Sequence, residues 1–193
     1  MEQAAKVRMI EAALDLFHQK GVNGTSVDQV LAKSKTGKSQ FSHYFKNKEG
    51  LIHSVIEYLH EIIKAGQTPT GYDVNTWEDL NSWFDKYIYF QKSVKYERSC
   101  PLGTISADIT NDQKLLRQDI LRFLEWCRSK LTRFFAERKA AGDFVSDVDP
   151  EGLADLCISV MQGGMLLTKM ARGSEMFESA AKQTLSLIHS LRK

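Results

Sequence analysis

The chain has 193 residues, 42% of them hydrophobic, and 26 Lys or Arg against 24 Asp or Glu, for a net charge of +2. That suits one or two compact domains with a true core. Three widely spaced cysteines, Cys100, Cys127 and Cys157, exclude a disulfide framework or a CxxC zinc site, and no apolar run approaches the ~18 residues of a membrane span.

The charge is unevenly placed. Residues 1–50 hold eight Lys or Arg and five Asp or Glu, a net +3, so the remainder nets −1. A basic head on a slightly acidic body favours a local polyanion site. The N-terminus lacks the apolar stretch of a signal peptide, so a soluble, reducing, cytoplasmic setting is expected.

Ala4 to Lys20 reads as a first helix. Val7, Ile10, Ala13, Leu14 and Phe17 form its apolar stripe, and Gly21 is a fitting stop. Lys6 or Arg8 in its first turn could reach phosphate. Thr25 is a natural N-cap for a second helix beginning near Ser26, with Asp28 three residues on. Val27, Val30 and Leu31 recur there at helical spacing. Lys33-Ser34-Lys35-Thr36-Gly37 breaks the pattern.

A short helix then runs from about Lys38 to Phe45. Phe41 and Phe45 can both face inward, while Ser39 and His43, flanked by Gln40, Ser42 and Lys46, point outward. Five lysines lie between Lys33 and Lys48, and no acid lies between Gln29 and Lys48. A short helix with a cationic surround and a donor-rich outer face suits the major groove of DNA.

This segment resembles the helix-turn-helix of TetR-family transcriptional regulators. The resemblance rests on Ala13, Leu16, Phe17, Gly21, Thr25, Ser26, Val30 and Ala32, then Phe41, His43, Tyr44, Phe45, Lys46, Lys48 and Leu51. HYFKNKEGL arrives at the right distance from LDLFHQKG, and the match covers about the first fifty residues. Two departures stand out: Ser34-Lys35 replaces the usual Ala-Gly, and Phe41-Ser42 replaces the usual Leu-Tyr. The resemblance implies that Lys48 sits beside a phosphate at the start of helix four.

The expected DNA contacts follow. Thr25 and Ser26 can donate to a phosphate from a helix N-terminus. Lys38, Ser39, Gln40 and His43 are the base-edge candidates; Gln40 can pair bidentately with adenine and Lys38 can reach guanine acceptors. Tyr44 and Lys48 position the backbone.

Helix four runs from about Lys48 to Ala65 with a broad apolar face, Leu51, Val55, Leu59 and Ile62. His53, Glu57, His60 and Glu61 lie at helical spacing, a pattern read as a solvated face rather than a metal site. Gly66 to Asn75 is rich in turn formers and is the clearest break. Helix five spans about Trp77 to Val94, with aromatic stripes through Trp83, Tyr87 and Phe90 and through Phe84 and Ile88.

Pro101 biases Cys100 to an extended backbone, and a short helix from about Leu102 to Asp108 follows. The Cys-Pro-Leu-Gly segment resembles one subset of the family. Asn111 or Asp112 caps a long helix, about Gln113 to Ala141, with Phe123, Cys127 and Leu131 inward and Trp126 flanking. Asp149-Pro150-Glu151 starts helix eight, which runs to about Ala171. Gly163-Gly164 costs helix propensity, which is easier to understand if another helix or a ligand approaches there. Ser174 caps the last helix.

The fold is therefore expected to be all-α with about nine helices. Residues 1–47 form a helix-turn-helix domain and 48–193 an effector-binding and dimerisation domain. The resemblance implies a homodimer through the last two helices, and Val160, Gly164, Leu167, Phe177, Ala181, Thr184 and Ile188 are the candidate interface residues. Tyr87, Phe90, Cys100, Phe123, Trp126, Cys127, Met161 and Met165 are the candidate effector pocket. No GxSxG, HExxH, phosphate-binding Gly loop or DxD cluster is present, so an enzyme is not expected. No cofactor, metal or membrane partner is expected either. The reading is a repressor that leaves a near-palindromic double-stranded operator when a small apolar or aromatic effector binds. The alternative is a thiol-based sensor of electrophiles or oxidants acting through Cys100.

Overall fold

The computed structural model describes residues 2–193, with side chains from Ala4 onward. Among them run nine helices: α1 (Glu2–Lys20), α2 (Val27–Ser34), α3 (Lys38–Phe45), α4 (Lys48–Lys64), α5 (Trp77–Ser93), α6 (Pro101–Asp108), α7 (Lys114–Ala140), α8 (Pro150–Ala171) and α9 (Glu175–Ser190). No strand forms among the described residues; an isolated antiparallel bridge joins Phe144 to Arg192. The all-α reading holds, with ends within about two residues of those read from periodicity.

The chain divides into two compact units. The first comprises the chain up to Ala65 together with Cys100–Arg122, and the second comprises Gly66–Ser99 with Phe123–Lys193. The division falls inside α7, between Arg122 and Phe123. It is drawn by packing and differs from a division at 47/48, since α4, α6 and the first turns of α7 cluster with the helix-turn-helix.

In the first unit α1 packs against α2, α3, α4 and α6. Met9, Ala13 and Phe17 of α1, Val30 of α2, Phe41 and Phe45 of α3, and Leu51, Val55 and Ile56 of α4 are all buried. Burying each large side chain is worth about 1.5–3 kcal/mol. Gly21 ends α1 at φ +74°, and a Cβ there would lie 2.5 Å from Asp108 Oδ2, so two independent constraints exclude a side chain.

The start of α2 corrects the sequence reading. The N-cap is Ser26, not Thr25. Thr25 is buried and donates its hydroxyl to Gly21 O at 2.8 Å. Ser26 Oγ accepts from Gln29 N at 3.2 Å, and Ser26 N donates to Gln29 Oε1 at 3.0 Å. The capping box is therefore Ser26 with Gln29, one residue later than Thr25 with Asp28.

In the second unit α5, α8 and α9 pack together. Asp149 caps α8 by accepting from Glu151 N at 3.0 Å, with Pro150 in the first turn. Ser174 stands at the N-cap of α9, but its hydroxyl donates to Glu178 Oε1 at 2.7 Å instead of capping the backbone. The break at Gly66–Asn75 is non-helical as expected, yet it is part of the core: Tyr72 and Val74 are buried, and Gly71 O accepts from Trp83 Nε1 at 2.7 Å.

The candidate interface residues separate into two groups. Gly164, Phe177, Ala181, Thr184 and Ile188 are buried within the chain, where α8 meets α9. Val160 is half-buried and Leu167 exposed. A different row lies open: Leu166 (53% exposed) and Met170 (72%) on α8, and Met176 and Leu187 on α9. Periodicity marks apolar positions but does not say which neighbour covers them. Here the strongest apolar stripe of α9 is spent on its own chain.

Candidate nucleic-acid interface

The interface is built on α3, an eight-residue helix. Phe41 and Phe45 anchor it, buried with ring centroids 5.4 Å apart. With that side fixed, Lys38, Ser39, Gln40, Ser42 and His43 are exposed. Gly37 is the N-cap, and its N–H donates to Gln40 Oε1 at 3.2 Å. The Gln40 side-chain carbonyl is thus already engaged, so bidentate adenine pairing requires that bond to open.

The other sequence candidates sit around this helix. Lys38 Nζ lies 3.2 Å from Asp28 Oδ1 with both groups exposed, a pair of small worth that a phosphate can displace. The His43 ring stands edge-on to Tyr44, centroids 5.1 Å apart, and Tyr44 is half-buried against Phe45. Ser26 is exposed at the start of α2, whereas Thr25 beside it is buried with its hydroxyl committed to Gly21 O. Lys48, in the first turn of α4, donates to Val22 O at 2.6 Å. An ammonium has three donors, so that bond leaves capacity for a phosphate.

Sequence reasoning missed the residue that braces the opposite side of this turn. Asp108, the last residue of α6, accepts from Val22 N at 2.6 Å and from Asn23 N at 3.2 Å through Oδ2. Both backbone polar groups of Val22 are therefore held, one by Asp108 and one by Lys48. An acid ending a short helix carries no local signal of a partner 86 residues away. His53 of α4 is likewise committed: its Nδ1 lies 2.6 Å from Asp119 Oδ2, and Arg122 Nη2 donates to Asp119 Oδ1 at 3.1 Å.

The two turns around α3 both contain lysines with positive φ. Lys35 closes α2 at φ 53°, ψ 50°, and Lys46 closes α3 at φ 64°, ψ −51°. Ser34, before Lys35, is buried with its hydroxyl donating to Val30 O at 2.7 Å.

Two family descriptions match. "Bacterial regulatory proteins, tetR family" covers residues 9–55, and "Tetracyclin repressor-like, C-terminal domain" covers residues 77–184. The chain belongs to the TetR family. The HTH-type transcriptional repressor DhaR of Mycobacterium sp. (strain GP1) is 22% identical over 167 residues, 86% of this chain and 83% of that protein. The crystal structure of regulatory protein TetR from Rhodobacter sphaeroides aligns over 94% of this chain and 97% of that one, with a TM-score of 0.79 at 21% identity. A TetR-family regulator from Agrobacterium tumefaciens aligns over 100% of both chains, with a TM-score of 0.83 at 13% identity. At these identities the likeness of structures speaks for the fold. Membership makes this chain a DNA-binding transcriptional regulator and not an enzyme.

The effector-pocket candidates of this TetR-family chain divide between the units. Tyr87, Phe90, Phe123, Trp126, Cys127, Met161 and Met165 belong to the second unit and Cys100 to the first. Tyr72 gathers several of the aromatics: its ring lies 5.9 Å from Trp83, 6.4 Å from Tyr87 and 6.0 Å from Trp126, and Trp126 lies 6.3 Å from Phe123. Tyr72 and Trp83 were not among the sequence candidates. Met161, Met165 and Cys127 are buried. No helix among the described residues is long and apolar enough to cross a membrane.

Proposed function

We propose that this TetR-family regulator is a homodimeric repressor, released from a near-palindromic operator when a small apolar or aromatic molecule binds its second unit. The observation that carries the reading is α3 itself. Two buried phenylalanines hold it while Lys38, Ser39, Gln40 and His43 stand exposed at the only acid-free, lysine-rich stretch of the head. Residues 1–47 serve as the DNA-binding domain and 48–193 as the effector and dimerisation domain. Lys38, Ser39 and His43 reach base edges, joined by Gln40 when it leaves Gly37. Ser26, Lys48 and Tyr44 hold the backbone.

The exposed row of Leu166, Leu167, Met170, Met176 and Leu187 supports pairing through α8 and α9, since a large apolar patch on a soluble chain marks an interaction surface. The cluster of Tyr72, Trp83, Tyr87, Phe123 and Trp126 supports an aromatic or apolar effector. An effector releases DNA by no more than its differential affinity for the two head arrangements.

Fluorescence anisotropy on duplexes from the intergenic region beside the gene tests this reading. Binding that resists competitor DNA, at one or two dimers per near-palindrome, is the expected result. A Trp126→Ala variant is expected to keep that binding and lose sensitivity to apolar effectors. Sequence-blind binding across the region overturns the operator assignment. Unchanged effector response in Trp126, Tyr87 and Phe123 variants overturns the pocket.

A second reading has one observation in its favour. Of the three cysteines, Cys100 alone is half-exposed, while Cys127 and Cys157 are buried. A thiol sensor acting through Cys100 predicts that Cys100→Ser abolishes release by electrophiles. Release that persists removes the reading.

A further inference from the structure

Three features of the first unit combine around α3. Lys35 and Lys46 are exposed; Lys35 closes α2 in the turn three residues before α3 begins, and Lys46 closes α3 itself. Both have backbones that glycine adopts more readily than any L-residue. Lys35 is left-handed, where a Cβ crowds the backbone. At Lys46, φ 64° and ψ −51° combine with an Asn47 N–H that donates to Phe45 O at 2.7 Å, forming the strained kind of γ-turn. Among the described residues neither ammonium makes an ion pair, whereas Lys33 pairs with Asp15 and Lys38 with Asp28.

We propose that Lys35 and Lys46 are two further DNA phosphate contacts, one in the turn before α3 and one just after it, and that the strained backbone at both positions is retained for the charge it carries. The inference rests on the head binding duplex DNA, and it goes beyond the contacts assigned to Ser26, Tyr44 and Lys48. Strain of this kind persists where the surrounding structure enforces it and function uses it. The dimensions suit the role. Eight residues of α-helix are about 12 Å long, and the major groove of B-DNA is about 12 Å wide. Cations in the turns that flank such a helix face the phosphate walls on either side of the groove. Lys38, Ser39 and His43 between them face the base edges. The acid-free run from Val30 to Asn47 leaves nothing in that stretch of chain to repel a phosphate.

Stability and DNA binding move in opposite directions if the inference is right. The probe is a 30-base-pair duplex of arbitrary sequence, because phosphate contacts do not depend on sequence. Binding is measured across a KCl series for the full-length protein, beside urea unfolding. Lys35→Gly and Lys46→Gly each raise the urea midpoint by relieving the backbone. Each also lowers the slope of log K against log[KCl] by about 0.9 per bound chain, which is roughly eightfold weaker binding per chain at 0.1 M KCl. Lys35→Gln and Lys46→Gln lose the same affinity with no gain in midpoint. Lys35→Arg and Lys46→Arg keep the wild-type slope. Glycine variants that gain stability with an unchanged slope overturn the inference, as do glutamine variants that bind as wild type. Failure of the regulator reading is distinct from both: the wild-type protein itself would then show no salt-dependent affinity for the duplex.

Discussion

The ring of Phe177 packs directly against the backbone of Gly164: a Cβ built on that glycine would lie 2.1 Å from Cδ2 of the ring. Phe177 is fully buried and Phe84 lies edge-on to it at 6.3 Å, so the ring has no room to retreat. Helix propensity alone favours Gly164→Ala by about 1 kcal/mol. Overpacking a closed core costs about 1–3 kcal/mol, and three ring atoms within 2.6 Å put this site at the upper end. Gly164→Ala is therefore expected to destabilise the protein by about 1–2 kcal/mol in urea unfolding. A neutral or stabilising result would mean that α8 and α9 slide apart freely.

Gly163, one residue earlier, has nothing within 4 Å of its would-be Cβ. It precedes Leu166, Leu167 and Met170 by three, four and seven residues, and so shares their exposed face. Gly163→Ala is expected to leave the isolated chain as stable or up to about 1 kcal/mol more stable. Leu167→Glu is expected to change chain stability little, because the site is exposed, but to weaken dimerisation at least about 100-fold, since it leaves unpaired carboxylates in an apolar contact. Urea unfolding reads the stabilities and sedimentation equilibrium the dimerisation. A Leu167→Glu protein that remains dimeric at micromolar concentration would move the interface away from this face.

Asp108 makes a prediction of a different kind. It accepts two backbone N–H groups of the α1–α2 turn, at 2.6 Å and 3.2 Å. Asp108→Ala leaves both donors without that partner, at an expected cost of about 1–2 kcal/mol. Asp108→Asn keeps an acceptor oxygen in place and is expected to cost less than half as much. Equal losses in the two variants would show that the charge, and not the hydrogen bonding, matters at this turn.

Much of this was legible in the sequence. Caps and stops such as Asp149-Pro150 and Gly21 act locally, so helix ends could be read from neighbouring residues. Phe41 and Phe45 share a face at spacing four, so the exposed side of α3 followed. What could not be read depends on contacts distant in sequence. Thr25 and Ser26 are both good caps by type, and the burial of Thr25 decides between them. Phe177, Ala181 and Ile188 look the same whether a partner chain or α8 covers them. Tyr72 lies in a segment whose Gly, Pro and Thr content marks a loop, and nothing local reports that Gly71 O holds Trp83. The positive φ of Lys46 was likewise invisible, because lysine is an unlikely residue for such a backbone; at Lys35 the glycine usual in the family was the one hint.

The cysteines supply a test of packing that needs no DNA. Cys157 of α8 is fully buried, and that burial pushes its thiol up to about 12. Buried and held protonated at pH 8, it is inert in the folded chain. Cys127 is buried too, while Cys100 is half-exposed. Iodoacetamide at pH 8 is therefore expected to add one group per native chain, at Cys100, and three per chain in urea; intact mass and peptide mapping give the count and the place. The same shift has a consequence for stability. The folded state holds the Cys157 proton more tightly than the unfolded state, so its contribution is fully present below about pH 9 and is lost as pH rises toward 12. A Cys157→Ala variant should lose less stability than the wild type between pH 8 and pH 10.5. Rapid native labelling of Cys157 would show instead that α8 opens on the timescale of the reaction.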